Sequence, residues 1–105
     1  MKIKMKTYNI TIPIKYNDGT KIEKAKIDQT FDDIRNEFGE CSWTTVKGIW
    51  ESDGVVYYDK SYRVSVTTYD TKENDRWFIN FGKILENRLR QIKIYITQSK
   101  ETPLT

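Results

Sequence analysis

Residues 38–66, FGECSWTTVKGIWESDGVVYYDKSYRVSV, decide how this chain folds. Ser52-Asp53-Gly54 lies near their centre. Asp-Gly is a hairpin turn signal, because glycine takes positive φ without a Cβ clash. Before the turn, residues 41–50 are rich in Ser, Thr, Val and Trp, a strand composition. After it, residues 55–69 form the longest strand candidate. Val56, Tyr58, Tyr62, Val64 and Val66 share one face of that strand by parity. Tyr57, Asp59, Arg63, Ser65 and Thr67 share the other. Asp59-Lys60-Ser61 predicts a bend or bulge.

Trp43 and Trp50 are seven residues apart, an odd spacing that sends them to opposite faces. The reading places Trp50 in the core under the helices, with Gly48 on its face allowing close approach. Trp43 is then the exposed one, an interaction residue or an edge cover.

Working outward, Tyr8, Ile10, Ile12 and Ile14 alternate with Thr7, Asn9, Thr11 and Lys15, the period of a half-buried strand. Lys, Ile and Met alternate from the first residue, which is also strand-like. Pro13 has no N–H for a ladder and belongs near the strand end. Asn17-Asp18-Gly19 marks a turn. Residues 21–26 are open between strand, loop and helix. Ile27, Phe31, Ile34 and Phe38 define one helix face, with Thr30 and Asp33 as a capping box and Gly39 as the stop. After the polar run Asp70–Asp75 comes a second helix, with Trp77, Phe81, Ile84, Leu85 and Leu89 inward and Asn74 or Asp75 as cap. Ile92, Ile94 and Ile96 form the last strand.

The order strand–helix–strand–strand–helix–strand, with right-handed crossovers, predicts a ferredoxin-like α/β sandwich. Four antiparallel strands carry both helices on one face, and the first and third strands are central. Residues 1–97 form one domain, and 98–105 a flexible polar tail.

Phe38-Gly39, Gly48-x-Trp50, Gly54 with Tyr58-Asp59, and Leu89-x-Gln91 together resemble a family of small bacterial ferredoxin-like domains. In that family a glycine-x-tryptophan strand, a Gly turn and a late helix ending near Gln recur. The resemblance spans residues 8–97 and implies the fold, with no activity attached. Some members carry an export or lipid-anchor signal, which this sequence lacks.

Several functions are excluded by composition. There is no histidine, which removes His-based triads and nearly all common zinc and non-haem iron sites. The single cysteine, Cys41, admits no internal disulfide and fits a reducing compartment. Neighbouring Glu40 raises its pKa, so it is no nucleophile. Asp28, Asp32, Asp33 and Glu37 read as a solvated helix face with Lys and Arg interspersed rather than a metal or acid–base pair. No phosphate loop or dinucleotide fingerprint is present. No apolar run reaches the length of a membrane span, and the expected location is cytoplasmic. No cofactor, catalytic residue or metal site is expected.

The open sheet face is the remaining candidate. Lys15, Tyr57, Arg63, Tyr69, Lys93 and Tyr95, with Trp43 at an edge, form the expected interaction surface. Such a face serves a second copy of the chain, as a homodimer, or another protein. Aromatics mixed with cations also suit single-stranded nucleic acid, helped by the N-terminal lysines at a net charge of +3. A third possibility is an enzyme with a histidine-free small-molecule pocket. The leading reading is a small non-catalytic binding or assembly module working through this face or an edge strand.

Overall fold

The computed structural model describes residues 4–104. Met1–Ile3, expected at the start of the first strand, and Thr105 of the tail lie outside them. The elements are β1 (Met5–Pro13), α1 (Lys24–Phe38), β2 (Ser42–Ser52), β3 (Val55–Tyr69), α2 (Lys72–Arg88) and β4 (Ile96–Glu101). The four strands form one antiparallel sheet in the order β2-β3-β1-β4. This is the ferredoxin-like sandwich expected from the sequence, with β1 and β3 central.

Strict alternation in β1 builds the core. Tyr8, Ile10 and Ile12 are buried, opposite Val66, Val64 and Tyr62 of β3. Ile34 of α1 and Phe78, Phe81, Leu85 and Leu89 from α2 and its end close over them. Phe78 stacks on Tyr8 at 3.9 Å and on Phe38 at 5.0 Å. Pro13 ends β1 opposite Ser61, beyond the stretch that β4 pairs, so a central position costs it no ladder bond.

Several local expectations are corrected. α1 starts at Lys24, settling part of the open stretch 21–26 as helix, and Lys21 bridges back to Lys15. Its N-cap is Glu23, without a side-chain cap bond. Thr30 and Asp33 are therefore not a capping box. They lie inside the helix and receive Arg88 of α2, which donates to Thr30 at 3.1 Å and to Asp33 at 2.7 Å. The cap of α2 is Thr71, whose side chain accepts from the Asn74 N–H. Phe78 is buried there, Trp77 is partly buried against the same core, and Ile84, expected inward, is half exposed. β3 pairs with β2 in one unbroken register from Ser42–Ser65 to Ser52–Val55, so the expected bulge at Asp59–Ser61 is absent. β4 begins at Ile96 and runs into the stretch read as tail, while Ile94 is buried ahead of it.

Candidate functional site

β3 has 15 residues and β1 has nine. Because β1 stops opposite Ser61, the segment Val55–Lys60 has only β2 beside it. The β2–β3 hairpin therefore runs on past the sandwich as a two-stranded arm. Six residues at about 3.4 Å each carry it roughly 20 Å outward. The molecule is accordingly elongated, 53 × 29 × 20 Å.

The tip is a two-residue turn. Asp53 and Gly54 both have positive φ, 49° and 78°, the mirror-image type I turn whose twist suits a hairpin. This turn fixes the register, and the register fixes the faces. Trp43 pairs with Val64 and so lies on the helix side, against Phe31 and Tyr62. Trp50 pairs with Tyr57 and lies on the opposite side, with the rings stacked at 4.3 Å. The two tryptophans do occupy opposite faces, with Trp43 on the helix side and about half exposed, as expected of an edge residue, and Trp50 on the open side. Trp50 is not core: half of it is exposed, because neither helix nor β1 reaches that far.

The arm carries apolar residues on both sides. Trp50, Tyr57 and Val55 lie on the open-face side, and Ile49, Tyr58 and Val56 on the helix side. Ile49 is 69% exposed and Tyr58 76%. No buried hydrophobic residue of the core falls between Val46 and Ser61. With an aromatic side chain carrying roughly 150–250 Å², the six leave on the order of 600 Å² of mostly apolar surface in water. Divided between the two sides, that is on the order of 300 Å² each, the size of the largest exposed patch on a typical monomer, which is often functional. A lone two-stranded ribbon is also marginal in water. A Cβ at Gly48 would come within 2.3 Å of an Asp59 carboxylate oxygen, which lies across the bare backbone and would have to swing aside.

The central part of the open face differs from the aromatic surface expected. Thr7 hydrogen-bonds Thr67 at 2.6 Å, and Ser65 donates to Asn9 at 2.6 Å. Thr97 and Ser99 flank them on β4. Of the expected surface residues, Arg63 lies on this face between Thr11 and Thr44. Tyr57 is out on the arm, while Tyr69 is at the other end of β3, opposite Met5. Tyr95, exposed, precedes β4 and accepts the Thr11 N–H through its carbonyl. Lys93 is exposed ahead of it, and Lys15 lies past the end of β1. These residues do not form one cluster. The sequence signal for the arm was the mismatch between a nine-residue and a fifteen-residue central strand.

Other polar clusters have structural roles. Lys6 is buried and bridges Asp70 and Asp75, each at 3.0 Å, and Tyr8 donates its hydroxyl to Asp75. Those bonds raise the Lys6 pKa and depress that of Asp75, while burial first and Asp75 second raise that of Tyr8. Lys100 lies opposite Lys6 across the ladder and adds a weak electrostatic pull on Asp75. The cluster ties the start of α2 to β1. Burial, more than Glu40, pushes the Cys41 thiol up. An open groove of about 480 Å³ between the helices is lined by Glu37, Trp77 and Ile84 among others. Among the described residues no group of three or more His, Cys, Asp or Glu could hold a metal. No helix among the described residues is long and apolar enough to cross a membrane.

No family model matches the chain, and no curated protein sequence does. Solved structures do match. A phage SAM lyase in complex with S-methyl-5'-thioadenosine has a TM-score of 0.63 at 14% identity, over 94% of this chain and 90% of that one. CutA1 from Oryza sativa has a TM-score of 0.63 at 8% identity, over 99% and 85%. CutA from Synechococcus elongatus has a TM-score of 0.60 at 8% identity, over 97% and 81%. At these identities the likeness establishes the ferredoxin-like fold.

Proposed function

We propose that this protein is a small self-assembling binding module, and that the β2–β3 arm is its assembly element. The observation that carries this is the apolar surface on both sides of a ribbon that the sandwich does not cover. Of the two expected routes to a homodimer, the open face and an edge strand, this reading takes the edge strand β2 and places the contact on the arm.

The test is to shorten the arm. Val46 and Ser61 are direct cross-strand partners. Joining them through Asn-Gly replaces residues 47–60 with a two-residue turn and removes none of the buried core. The shortened chain is expected to keep its fold and to sediment as a monomer, while the full chain forms a larger species. Equal masses for the two would end this reading.

A second reading draws on the phage SAM lyase and its bound S-methyl-5'-thioadenosine. Stacked Trp50 and Tyr57, with Asp59 on the same side, offer a π surface and negative charge. Adenine rings and sulfonium cations use both. Incubation with S-adenosylmethionine and chromatography for S-methyl-5'-thioadenosine tests it. No product, and no ligand-induced rise in melting temperature, would remove it.

A further inference from the structure

We infer that two copies of this chain join their arms edge to edge, β2 against β2, with Ile49 on the two-fold axis. This rests on the assembly reading above and adds the partner and the register. β2 is an edge strand of eleven residues without proline or bulge. Such an edge is open to pairing with another chain.

Backbone geometry restricts the pairing. A two-residue loop makes Ser52 and Val55 the hydrogen-bonded pair that closes the hairpin. Counting back, the N–H and C=O groups of even-numbered β2 residues point at β3. Those of Thr45, Lys47, Ile49 and Glu51 point to the free edge. An antiparallel copy can bond only through these odd residues.

Charge then selects one register. With Ile49 opposite its own copy, Lys47 faces Glu51 of the second copy, and Glu51 faces Lys47, on the same side of the ribbon. Neither residue has an ion-pair partner among the described residues. On the other side, Trp50 of each arm falls opposite Gly48 of the other, whose backbone the Asp59 carboxylate crosses. A slip of two residues puts Ile49 opposite Lys47 or Glu51. A slip of four puts two lysines or two glutamates directly opposite, which is repulsive. The axis also lays each arm tip beside Thr45 of the other copy.

Charge exchange tests this directly. K47E and E51K alone each create two like-charge pairs across the axis. Each is expected to raise the dimer dissociation constant at least about tenfold. The double variant K47E/E51K restores the opposite pairing and is expected to return to within about threefold of wild type. Both positions are exposed, and circular dichroism confirms that the variants fold. In a C41S background, I49C is expected to cross-link on oxidation, since hydrogen-bonded antiparallel partners sit about 5.5 Å apart, within disulfide reach. Two outcomes overturn the register but spare assembly by the arm: single charge variants that dimerise like wild type, or a double variant no better than the singles, while shortening the arm still gives a monomer. A wild-type mass of one chain, or of three, overturns the two-fold pairing outright.

Discussion

Replacing Trp50 with alanine separates this structure from the simplest reading of its sequence. If Trp50 were core, the change would cost about 3–5 kcal/mol, as for other buried aromatics. In the structure half of the residue is covered, roughly 100 Å² of a large aromatic. At about 25 cal/mol per Å² that sets an upper bound of about 2.5 kcal/mol. The cover, however, comes from Tyr57 on the same arm. An arm that opens locally forfeits that contact without unfolding the sandwich. The expected global cost is therefore about 1 kcal/mol, the size of one aromatic pair. Urea unfolding followed by far-UV circular dichroism, at a dilution where the chain is monomeric, reads it. Phe78→Ala, stacked between Tyr8 and Phe38, is the control, at about 3–5 kcal/mol. A loss above about 3 kcal/mol for Trp50→Ala would refute the placement of the arm beyond the core.

Thr71→Ala removes the side-chain cap of α2 and is expected to cost about 1 kcal/mol in the same urea assay. Gly54→Ala forces a Cβ onto a φ of 78° at the arm tip; about 1 kcal/mol of turn strain is expected, read as faster amide exchange in the arm with little change in the global midpoint. The Asp75 carboxyl is held below its ordinary 3.8 by Tyr8 and then Lys6. A depressed folded value means its stabilisation is present above that pH and lost as pH falls through the folded value. Asp75→Asn should therefore lower the urea midpoint at neutral pH, with the gap to wild type closing as the pH is taken below 3.8.

Much of the fold was legible because its signals are local. Tyr8, Ile10 and Ile12 alternate, the apolar positions of α2 recur at helical spacing, and Asp53-Gly54 marks a turn. These suffice for element order and for the central placement of β1 and β3. The Thr30/Asp33 pair misled because a capping pattern and an interhelix arginine site use the same residue types. Arg88, far along the chain, decides between them. The arm was missed for a different reason. Parity assigns residues to faces but does not say whether anything lies above a face. Trp50 and Tyr58 look like core residues until β1 is seen to end opposite Ser61. That information was present as the difference in strand lengths. The open face misled in the same way, since Tyr57, Tyr69 and Tyr95 share a side of the sheet but lie far apart along it.

Hydrogen exchange of the arm amides, followed as protein concentration is raised, tests most directly whether this ribbon is an assembly element. The N–H groups of Thr45, Lys47, Ile49 and Glu51 face no strand among the described residues, so in the monomer they exchange freely. The expected result is that these amides become protected as concentration rises and lose protection on dilution, while the core amides of β1 stay slow throughout. Fast exchange at these four positions at every concentration would contradict the pairing. Fast exchange along the whole arm, with a mass of one chain, would contradict the proposal that the arm exists to join copies of this protein.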